Sequence, residues 1–327
     1  MKQEKQKHSI QYMKRFSIFV ATMMMASVMQ AAEKLDLKSI TSGAFSASYV
    51  TGINPIEGTD LYASISSDGK QVVSYSFKTG KQVAVLFDVE AAKAPMKSVE
   101  GYVMSPDGKK MLVFTKSKAV YRRSFKAEYF IYDIARKTIK KLSEGENQQV
   151  ATWSPDSRHI AFVKDNNIFV TDGEKEVQVT KDGKFNEVIN GIPDWVYEEE
   201  FAFNRAFAWN ADGTSLGWIR FDESHVPEFS MTMFQGQAPS LDQNKLYPGV
   251  ETFKYPKAGE ENSKVTVQCY NLADSIVHSI NIGNDTDIYI PRIRFVPDSA
   301  KLAIFKVNRL QNKLDILLAS TQTLESS

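Results

Sequence analysis

A run of acids beside two aromatic residues is the part of this sequence whose residue types most directly suggest chemistry. The run Asp194-Trp195-Val196-Tyr197-Glu198-Glu199-Glu200 places three adjacent glutamates at its end. Neighbouring carboxylates repel each other at neutral pH, so the arrangement is unfavourable unless a cation lies among them or each is separately solvated. A primary ammonium would suit such a site, with Trp195 and Tyr197 packing behind it. The alternative is a solvated first helical turn, with Asp194 as N-cap and acids favoured by the helix dipole.

Three blocks of sequence carry a family resemblance that favours the ligand-binding interpretation. In chain order they are Arg122 through Asp133; Gly191 through Phe201, followed by Trp209 and by Glu223-Ser224-His225-Val226-Pro227; and Tyr255-Pro256-Lys257-Ala258-Gly259, followed by Asn262 and Val265. Together they resemble the dipeptidyl peptidase IV members of the prolyl oligopeptidase family of serine peptidases. The resemblance covers most of residues 40 to 327, and chance similarity in three ordered blocks is improbable.

The resemblance implies roles for individual residues. Glu199 and Glu200 match the family's paired glutamates, which bind the α-ammonium of the substrate and so fix the distance from its terminus to the scissile bond. Such charge-assisted contacts are strong, and they make an acylated amine a poor ligand. Arg122 matches the family arginine that binds a substrate carbonyl oxygen, although the neighbouring Arg123 leaves this match ambiguous by one residue. The alternative is that Arg122 is a surface arginine without a role in binding. Glu198 is expected to face away.

Composition and charge exclude several other classes of function. The chain has 327 residues, 43% hydrophobic and 24% charged, which suits an ordinary globular domain. Forty basic and thirty-nine acidic residues leave no global field for nucleic acid or an anionic membrane. Cys269 is the only cysteine, so no intrachain disulfide can form. No His-Glu-x-x-His motif is present, and we expect neither a metal nor another cofactor.

The N-terminus has the layout of a secretory signal peptide over residues 1–31. Basic residues precede an apolar run from Phe16 to Met29, which ends at Ala31-Ala32. That run is shorter than the ~20 residues that a transmembrane helix needs. We therefore expect export, to the periplasm or the medium, with a mature chain that begins near Ala32. An uncleaved anchor is the alternative, because Met29 is large for its place before the cut.

A turn motif recurs along the rest of the chain and predicts an all-β fold. It occurs at Ser66-Ser67-Asp68-Gly69, Ser105-Pro106-Asp107-Gly108, Trp153-Ser154-Pro155-Asp156-Ser157, Trp209-Asn210-Ala211-Asp212-Gly213 and Phe295-Val296-Pro297-Asp298-Ser299. Proline sets φ at the first corner, aspartate caps the turn and glycine tolerates a positive φ. Short apolar runs follow each turn, and four strands in a repeat of roughly 40 to 55 residues are typical of a β-propeller blade. A β-sandwich is the competing fold.

The repeat predicts a β-propeller domain over residues 32–327, with about five to six blades and a short helical Glu-rich insertion. One degenerate copy is expected around Val265 to Ile280. The resemblance implies an eight-bladed propeller followed by an α/β-hydrolase domain that carries the catalytic triad. We therefore expect the propeller to be incomplete and the hydrolase domain to lie outside this chain, which would leave no catalytic residue within it. None of the four histidines is placed as a general base.

Two classes of function remain open at this stage. The first is the substrate-gating and N-terminus-anchoring propeller of a secreted serine exopeptidase, which releases N-terminal dipeptides and prefers proline in second position. The second is a free-standing binding propeller without catalysis.

The stretch from Pro227 to Pro256 interrupts the blade rhythm and carries apolar residues among Gln, Pro and Gly. In the resembled family the matching insertion is an arm that reaches a second subunit. An isolated hairpin this apolar would otherwise be unstable. The sequence therefore predicts a homodimer through this arm, and the alternative is an insertion folded back on its own propeller.

Overall fold

The computed structural model describes residues 35–47, 52–145, 147–234, 247–297, 299–321 and 323–326. The predicted signal peptide lies outside the described residues. The chain divides into two compact units, residues 1–51 and 52–327. The first contains α1 (Leu37–Thr41), which begins where the Asp36 carboxylate accepts the Ser39 N–H. Across the described ranges, no helix is both long enough and apolar enough to cross a membrane.

Residues 52–327 consist of antiparallel sheets that follow one another along the chain. Three four-stranded sheets come first, each in sequential order, and their strands are β1 (Asn54–Pro55), β2 (Leu61–Ile65), β3 (Gln71–Ser76) and β4 (Gln82–Asp88); β5 (Gly101–Met104), β6 (Lys110–Ala119), β7 (Phe125–Asp133) and β8 (Thr138–Lys141); β9 (Gln149–Trp153), β10 (Ile160–Lys164), β11 (Asn167–Thr171) and β12 (Glu176–Gln178). Each is the up-and-down meander predicted for a propeller blade.

The remaining strands form a fourth sheet with two insertions and a fifth sheet. In chain order the elements are β13 (Val188–Asn190), α2 (Trp195–Glu200), β14 (Phe207–Trp209), β15 (Ser215–Asp222), β16 (Glu228–Met233), β17 (Gly249–Lys254), β18 (Lys264–Asn271), β19 (Ile276–Ile280), β20 (Ile288–Phe295), β21 (Lys301–Asn308) and β22 (Leu314–Ser320). The fourth sheet joins β13, β14, β15, β18 and β19, and the fifth joins β20, β21 and β22. Strands β16 and β17 pair only with each other among the described elements. We call this pair the ribbon.

The recurring turn folds in the same way in its first three copies. In the first three copies the serine hydroxyl donates to the aspartate two residues later, at 2.6 Å for Ser66, 2.7 Å for Ser105 and 2.5 Å for Ser154. The same aspartate accepts a backbone N–H two residues further on, as Asp107 does from Lys109 at 3.1 Å. Local side-chain bonds of this kind stabilise turns. The turn chemistry read from the sequence thus explains where these hairpins reverse.

The hydrophobic core lies between successive sheets. On β6, Met111 packs with residues of the first sheet, such as Val72 and Phe87, whereas Leu112 packs with residues of the third, such as Phe162. Neighbouring residues of a strand face opposite sides, so a strand covered on both faces is apolar at every position. This is why the strand runs are continuously apolar, and it is the packing expected of stacked propeller blades. The sheets do not close into a ring, so the fold is an all-β, incomplete propeller with a short helical Glu-rich insertion, as predicted.

One expectation about the repeat is wrong. The stretch from Val265 to Ile280 was expected to be a separate degenerate blade, but β18 pairs with β15 along its whole length and β19 pairs with β18. Both strands therefore belong to the fourth sheet. The spacing between turn motifs widens there because the ribbon and its flanks are inserted between β15 and β18.

Candidate functional site

Helix α2 lies where one strand of the fourth sheet is split in two. Strands β13 and β14 both pair with β15, Val188 opposite Asp222 and Phe207 opposite Trp218. The chain between them leaves the sheet, forms α2 and returns. The helix begins because the Asp194 carboxylate accepts the Tyr197 N–H at 2.9 Å, which is the N-cap predicted from the sequence.

The N-cap is buried, which is unusual for a capping carboxylate. Asp194 is only 4% exposed, and the Ser263 hydroxyl donates to its second oxygen at 2.5 Å. Burial raises the pKa of Asp194, while the bonds from Ser263 and Tyr197 act in the opposite direction. Ser263 therefore links the start of α2 to the segment that leads into β18.

Tyr197 fixes the helix to the core. Its side chain is fully buried, and its hydroxyl accepts the Ile290 N–H of β20 at 3.0 Å. Its ring meets the Phe221 ring of β15 edge-on, with centroids 4.8 Å apart. Trp195 packs against Tyr255, at 4.3 Å between ring centroids. The two aromatic residues therefore brace the helix, and Tyr255 of the third sequence block takes part in that bracing.

The three glutamates of α2 have three different environments. Glu198 is 1% exposed, and its Oε1 accepts the backbone N–H groups of Arg123 at 2.6 Å and Ser124 at 2.8 Å. The Glu199 side chain is 15% exposed, and its Oε2 accepts from Nε of Arg122 at 2.7 Å. Glu200 is exposed. The repulsion expected from three adjacent acids is therefore relieved, because the three carboxylates point to backbone N–H groups, to an arginine and to solvent respectively.

The structure brings the arginine block and the glutamate block together. It is the Arg122 side chain, 71% exposed, that meets Glu199, whereas Arg123 contributes its backbone. The Arg123 N–H binds Glu198, and its carbonyl accepts from Nδ2 of Asn204 at 2.9 Å. Glu198 and Asn204 thus hold the loop that presents Arg122. Asn204 was not recognised in the sequence, and only its place just after the glutamate block could have pointed to it.

Further acidic groups lie near this site. Glu223 is 7% exposed, and burial raises its pKa to about 8, with the Asp194 charge acting in the same direction and Lys254 opposing it. Burial also raises the pKa of Tyr121, and Glu223 and Asp194 add to that effect. Glu223 belongs to a quoted sequence block, yet nothing in that block predicted its burial. A cation bound beside these groups would favour their charged forms, whereas an anion would disfavour them, so the surroundings of α2 suit a cation better.

The arrangement leaves acceptors and donors available side by side. A carboxylate offers about four acceptor positions, and Arg122 occupies one of them at Glu199. Among the described residues, neither Oε1 of Glu199 nor the Glu200 carboxylate accepts another hydrogen bond. A ligand with an ammonium close to a carbonyl oxygen would complement these two acids and Arg122. Within the described ranges, no group of three or more His, Cys, Asp or Glu side chains could hold a metal ion.

One further run of the sequence has the spacing of a nucleophile elbow. Gly213-Thr214-Ser215-Leu216-Gly217 fits Gly-x-Ser-x-Gly. Its surroundings do not support a nucleophile, because Ser215 is 6% exposed and begins β15 in a strand-to-strand hairpin rather than a strand-to-helix turn. Its N–H donates to Oδ1 of Asn210, which is turn chemistry. We therefore assign it no catalytic role.

The two described ends of the predicted arm pair with each other and form the ribbon. Strands β16 and β17 pair from Glu228 opposite Lys254 to Met233 opposite Gly249. Residues 235–246 of the predicted arm lie outside the described residues. Lys254 holds the base of the ribbon, because its Nζ donates to the Val226 carbonyl at 2.8 Å.

Comparison with known proteins places this geometry among peptidase relatives. A family model described as "Dipeptidyl peptidase IV (DPP IV) N-terminal region" matches residues 105–327. A protein named probable dipeptidyl-aminopeptidase B from Talaromyces marneffei is 37% identical over 218 residues, which are 63% of this chain and 24% of that protein. Another of the same name, from Tuber melanosporum, is 34% identical over 281 residues, 78% of this chain and 31% of that protein. The matched part of this chain thus spans only 24% and 31% of the length of these two relatives.

Solved structures agree with the family match. The crystal structure of Porphyromonas gingivalis dipeptidyl peptidase 4 superposes with a TM-score of 0.83 at 40% identity, and the match covers 90% of this chain and 42% of that one. A putative dipeptidyl aminopeptidase IV from Bacteroides ovatus superposes with a TM-score of 0.60 at 21% identity, covering 86% of this chain and 36% of that one. The second likeness concerns the fold alone.

Proposed function

Because this chain belongs to the dipeptidyl peptidase IV N-terminal region family, we propose that it is the substrate-anchoring propeller of a serine exopeptidase that releases dipeptides from free N-termini. The observation that carries the proposal is the Arg122–Glu199 ion pair beside acceptors that no other described residue uses. The preference for proline in the second position follows from the family resemblance.

The anchor acts by charge and by distance. The α-ammonium of the peptide donates to Oε1 of Glu199 and to Glu200, and Arg122 donates to a nearby peptide carbonyl oxygen. Hydrogen bonds between charged groups are stronger than neutral ones, so a free terminus is favoured over an internal amide. Holding the terminus at a fixed place lets only a bond at a fixed distance reach a nucleophile, which explains why the product is a dipeptide.

The anchor is tested by titrating Gly-Pro-amide into the protein and following methyl and indole resonances by NMR. Losing one charge-assisted bond costs about 1.5–3 kcal/mol, so Glu199→Gln and Glu200→Gln should each weaken binding by about ten- to a hundred-fold. Arg122→Ala should cost less. Glu144→Gln, an exposed acid in the loop after β8, is the matched control and should change nothing. Wild-type affinity in both glutamate variants would return α2 to the solvated-helix interpretation.

Two further parts of the proposal concern location and assembly. The signal-like residues 1–31 support export, and N-terminal sequencing of the protein from its native host should find a mature chain beginning near Ala32 or Glu33. An intact Met1 in the cytoplasm would refute export. The exposed apolar residues of the ribbon support a homodimer through the arm from Pro227 to Pro256.

A further inference from the structure

A cavity lies next to the anchor. Its volume is about 930 Å³, and it is bordered by parts of β9, β14 and β20 together with residues 202–205. That volume is in the range of pockets that bind small molecules or short peptides, ~300–1,000 Å³. Eight of the twenty described residues that line it are aromatic, among them Phe114, Phe125, Tyr129, Trp153, Phe203 and Trp209.

The charged residues that line this cavity are all of one sign. They are Arg205, Arg292 and Arg294, and no aspartate or glutamate is among the described residues that line it. The whole chain has nearly equal numbers of acids and bases, so this is a local separation of charge. Among the described residues, the arginines that form ion pairs are Arg122, Arg136, Arg158, Arg220 and Arg309, and none of them lines the cavity. We call this space the arginine cavity.

Two of the three guanidinium groups are held in place by neutral partners. Arg292 donates to the Phe201 carbonyl at 2.8 Å and lies 5.1 Å from the centre of the Phe203 ring. Arg205 donates to Oγ1 of Thr152 at 3.1 Å. A guanidinium has five N–H donors, so these contacts orient the groups without using all their donors. None of these contacts neutralises the positive charge.

Strand geometry adds the third arginine to the same side. Arg294 is two residues beyond Arg292 on β20, so both project from one face of the strand. Ile293 between them is 9% exposed and packs into the core behind. Like charges gathered against an aromatic wall repel each other, and a bound anion removes that repulsion. The planar fork of arginine favours carboxylates in particular, which it can bind with two parallel hydrogen bonds.

The arginine cavity and the anchor share a wall. Asn204, which lines the cavity, donates to the carbonyl of Arg123, and Phe125 on the same wall directly follows Ser124, whose N–H binds Glu198. A peptide held by its ammonium at Glu199 therefore has this cavity beside it. We propose that the arginine cavity binds carboxylate groups of peptides, supplied either by acidic side chains or by a C-terminus. Its place in peptide selection rests on the proposed function, whereas carboxylate binding itself does not.

The test uses peptides whose blocked N-termini remove the anchor from the measurement. Acetyl-Glu-Glu-Glu-amide and its uncharged match, acetyl-Gln-Gln-Gln-amide, are titrated into the protein and followed by NMR. We expect the glutamate peptide to bind at least about tenfold more tightly. The second arm compares acetyl-Gly-Gly-Gly, which has a free C-terminus, with its C-terminal amide. This comparison decides whether a C-terminal carboxylate is sufficient.

Variants locate the binding. Arg294→Gln makes no change to a hydrogen bond among the described residues, so it should leave the fold intact and weaken binding of the glutamate peptide by about tenfold. Arg292→Gln should do the same, with a thermal melt to check folding. Arg136→Gln removes the same charge from an exposed arginine outside the cavity and is the control for net charge.

The outcomes separate this inference from the proposed function. Equal affinity for the glutamate and glutamine peptides, or an equal loss in Arg136→Gln, would overturn the carboxylate site. Glu199→Gln should leave binding of the acetylated peptides unchanged, because they carry no ammonium. If the carboxylate results hold while free-amine peptides show no dependence on Glu199, the anchor is wrong and the arginine cavity stands.

Discussion

The fourth sheet carries two insertions of opposite character. The insertion between β13 and β14 is buried, with Tyr197 at 0% and Glu198 at 1% exposure. The ribbon between β15 and β18 is exposed even at apolar positions, with Met231 at 42% and Val250 at 71%. The first insertion has its hydrogen bonds and packing within the propeller. The second leaves apolar side chains exposed among the described residues, so the two insertions of this sheet differ in how far they are buried.

The connections explain the difference. Both insertions return to the fourth sheet, but they leave it at different places. The first starts and ends along the length of β15, and its helix packs against that sheet. The second joins the ends of β15 and β18, where Asp222 lies opposite Lys264. The ribbon leaves from the end of β15, and a two-stranded ribbon alone is marginally stable in water. Its described stabilising contacts are concentrated at its base, where Lys254 and Tyr255 lie. Four predictions test this contrast, beginning with the largest expected effect.

Truncating the buried tyrosine should be the most destabilising change. Tyr197→Ala removes a fully buried ring and the acceptor of the Ile290 N–H, which should cost about 3–5 kcal/mol in the free energy of unfolding. Tyr197→Phe keeps the ring but leaves the buried Ile290 N–H without its acceptor, which should cost about 1–3 kcal/mol. The matched ribbon variant is Phe229→Ala. The Phe229 ring is 37% exposed, so its removal should lower the free energy of unfolding by less than Tyr197→Ala does. Urea unfolding measures all three, and a ribbon loss equal to that of Tyr197→Ala would break the contrast.

The buried acid near α2 should make stability fall as pH rises. Burial raises the pKa of Glu223 from 4.5 to about 8, so between these values the folded state holds a proton that the unfolded state has lost. Its contribution is therefore present below pH 4.5 and is lost progressively up to about pH 8, by at most about 1.4 kcal/mol per pH unit. Glu223→Gln should flatten this decline, and Glu251→Gln removes the same charge from the ribbon as a control. A decline that is the same in Glu223→Gln would assign it to other groups.

Removing the Glu198 carboxylate should loosen the loop that presents Arg122. Glu198→Ala leaves the N–H groups of Arg123 and Ser124 without their acceptor, at a cost of about 1–3 kcal/mol. Glu198→Gln retains an acceptor oxygen and should recover most of the loss. Unfolding free energy and Gly-Pro-amide affinity are measured together, and affinity should fall in Glu198→Ala more than in Glu198→Gln. Unchanged affinity in a destabilised Glu198→Ala protein would deny Glu198 a positioning role.

A charge on the ribbon should alter assembly while barely affecting folding. Val250→Glu introduces a carboxylate at a position that is already 71% exposed, so the unfolding free energy should change by less than about 0.5 kcal/mol. If the proposed dimer forms through the arm, light scattering should show a dimer for the wild type and a monomer for the variant. Ile276→Glu, at an exposed position of β19, is the matched control and should remain dimeric. A monomeric wild type, or a dimeric Val250→Glu protein, would contradict the role of the arm.

The local chemistry of this protein was predictable from its sequence. The turns follow from Ser, Pro, Asp and Gly at fixed places, and the N-cap of α2 follows from Asp194 ahead of a helical run. The prediction of a separate blade failed at β18 and β19, because an insertion lengthened the spacing between turn motifs from which the repeat was read. The run around Ser215 has the opposite problem, because it fits a motif that its structure does not support. A five-residue spacing alone does not distinguish a turn between strands from a nucleophile elbow.

Long-range pairings were accessible only through family resemblance or not at all. Arg122 and Glu199 are 77 residues apart, and no spacing rule relates them. The resemblance named both residues, and the structure shows the Arg122 side chain in contact with Glu199, whereas Arg123 contributes its backbone. The raised pKa of Glu223 and the convergence of Arg205 with β20 depend on burial and on stacking of separate sheets. Neither is encoded in a local pattern.

The most direct measurement is a thermodynamic cycle between the peptide's terminus and Glu199. Gly-Pro-Gly-Gly-amide and its N-acetyl form are titrated by calorimetry or NMR into the wild-type protein and into Glu199→Gln. If Glu199 binds the α-ammonium, acetylation should weaken binding to the wild type by about ten- to a hundred-fold and should have a much smaller effect in the variant. Equal effects of acetylation in the two proteins would show that Glu199 does not sense the ammonium, and would contradict the anchor.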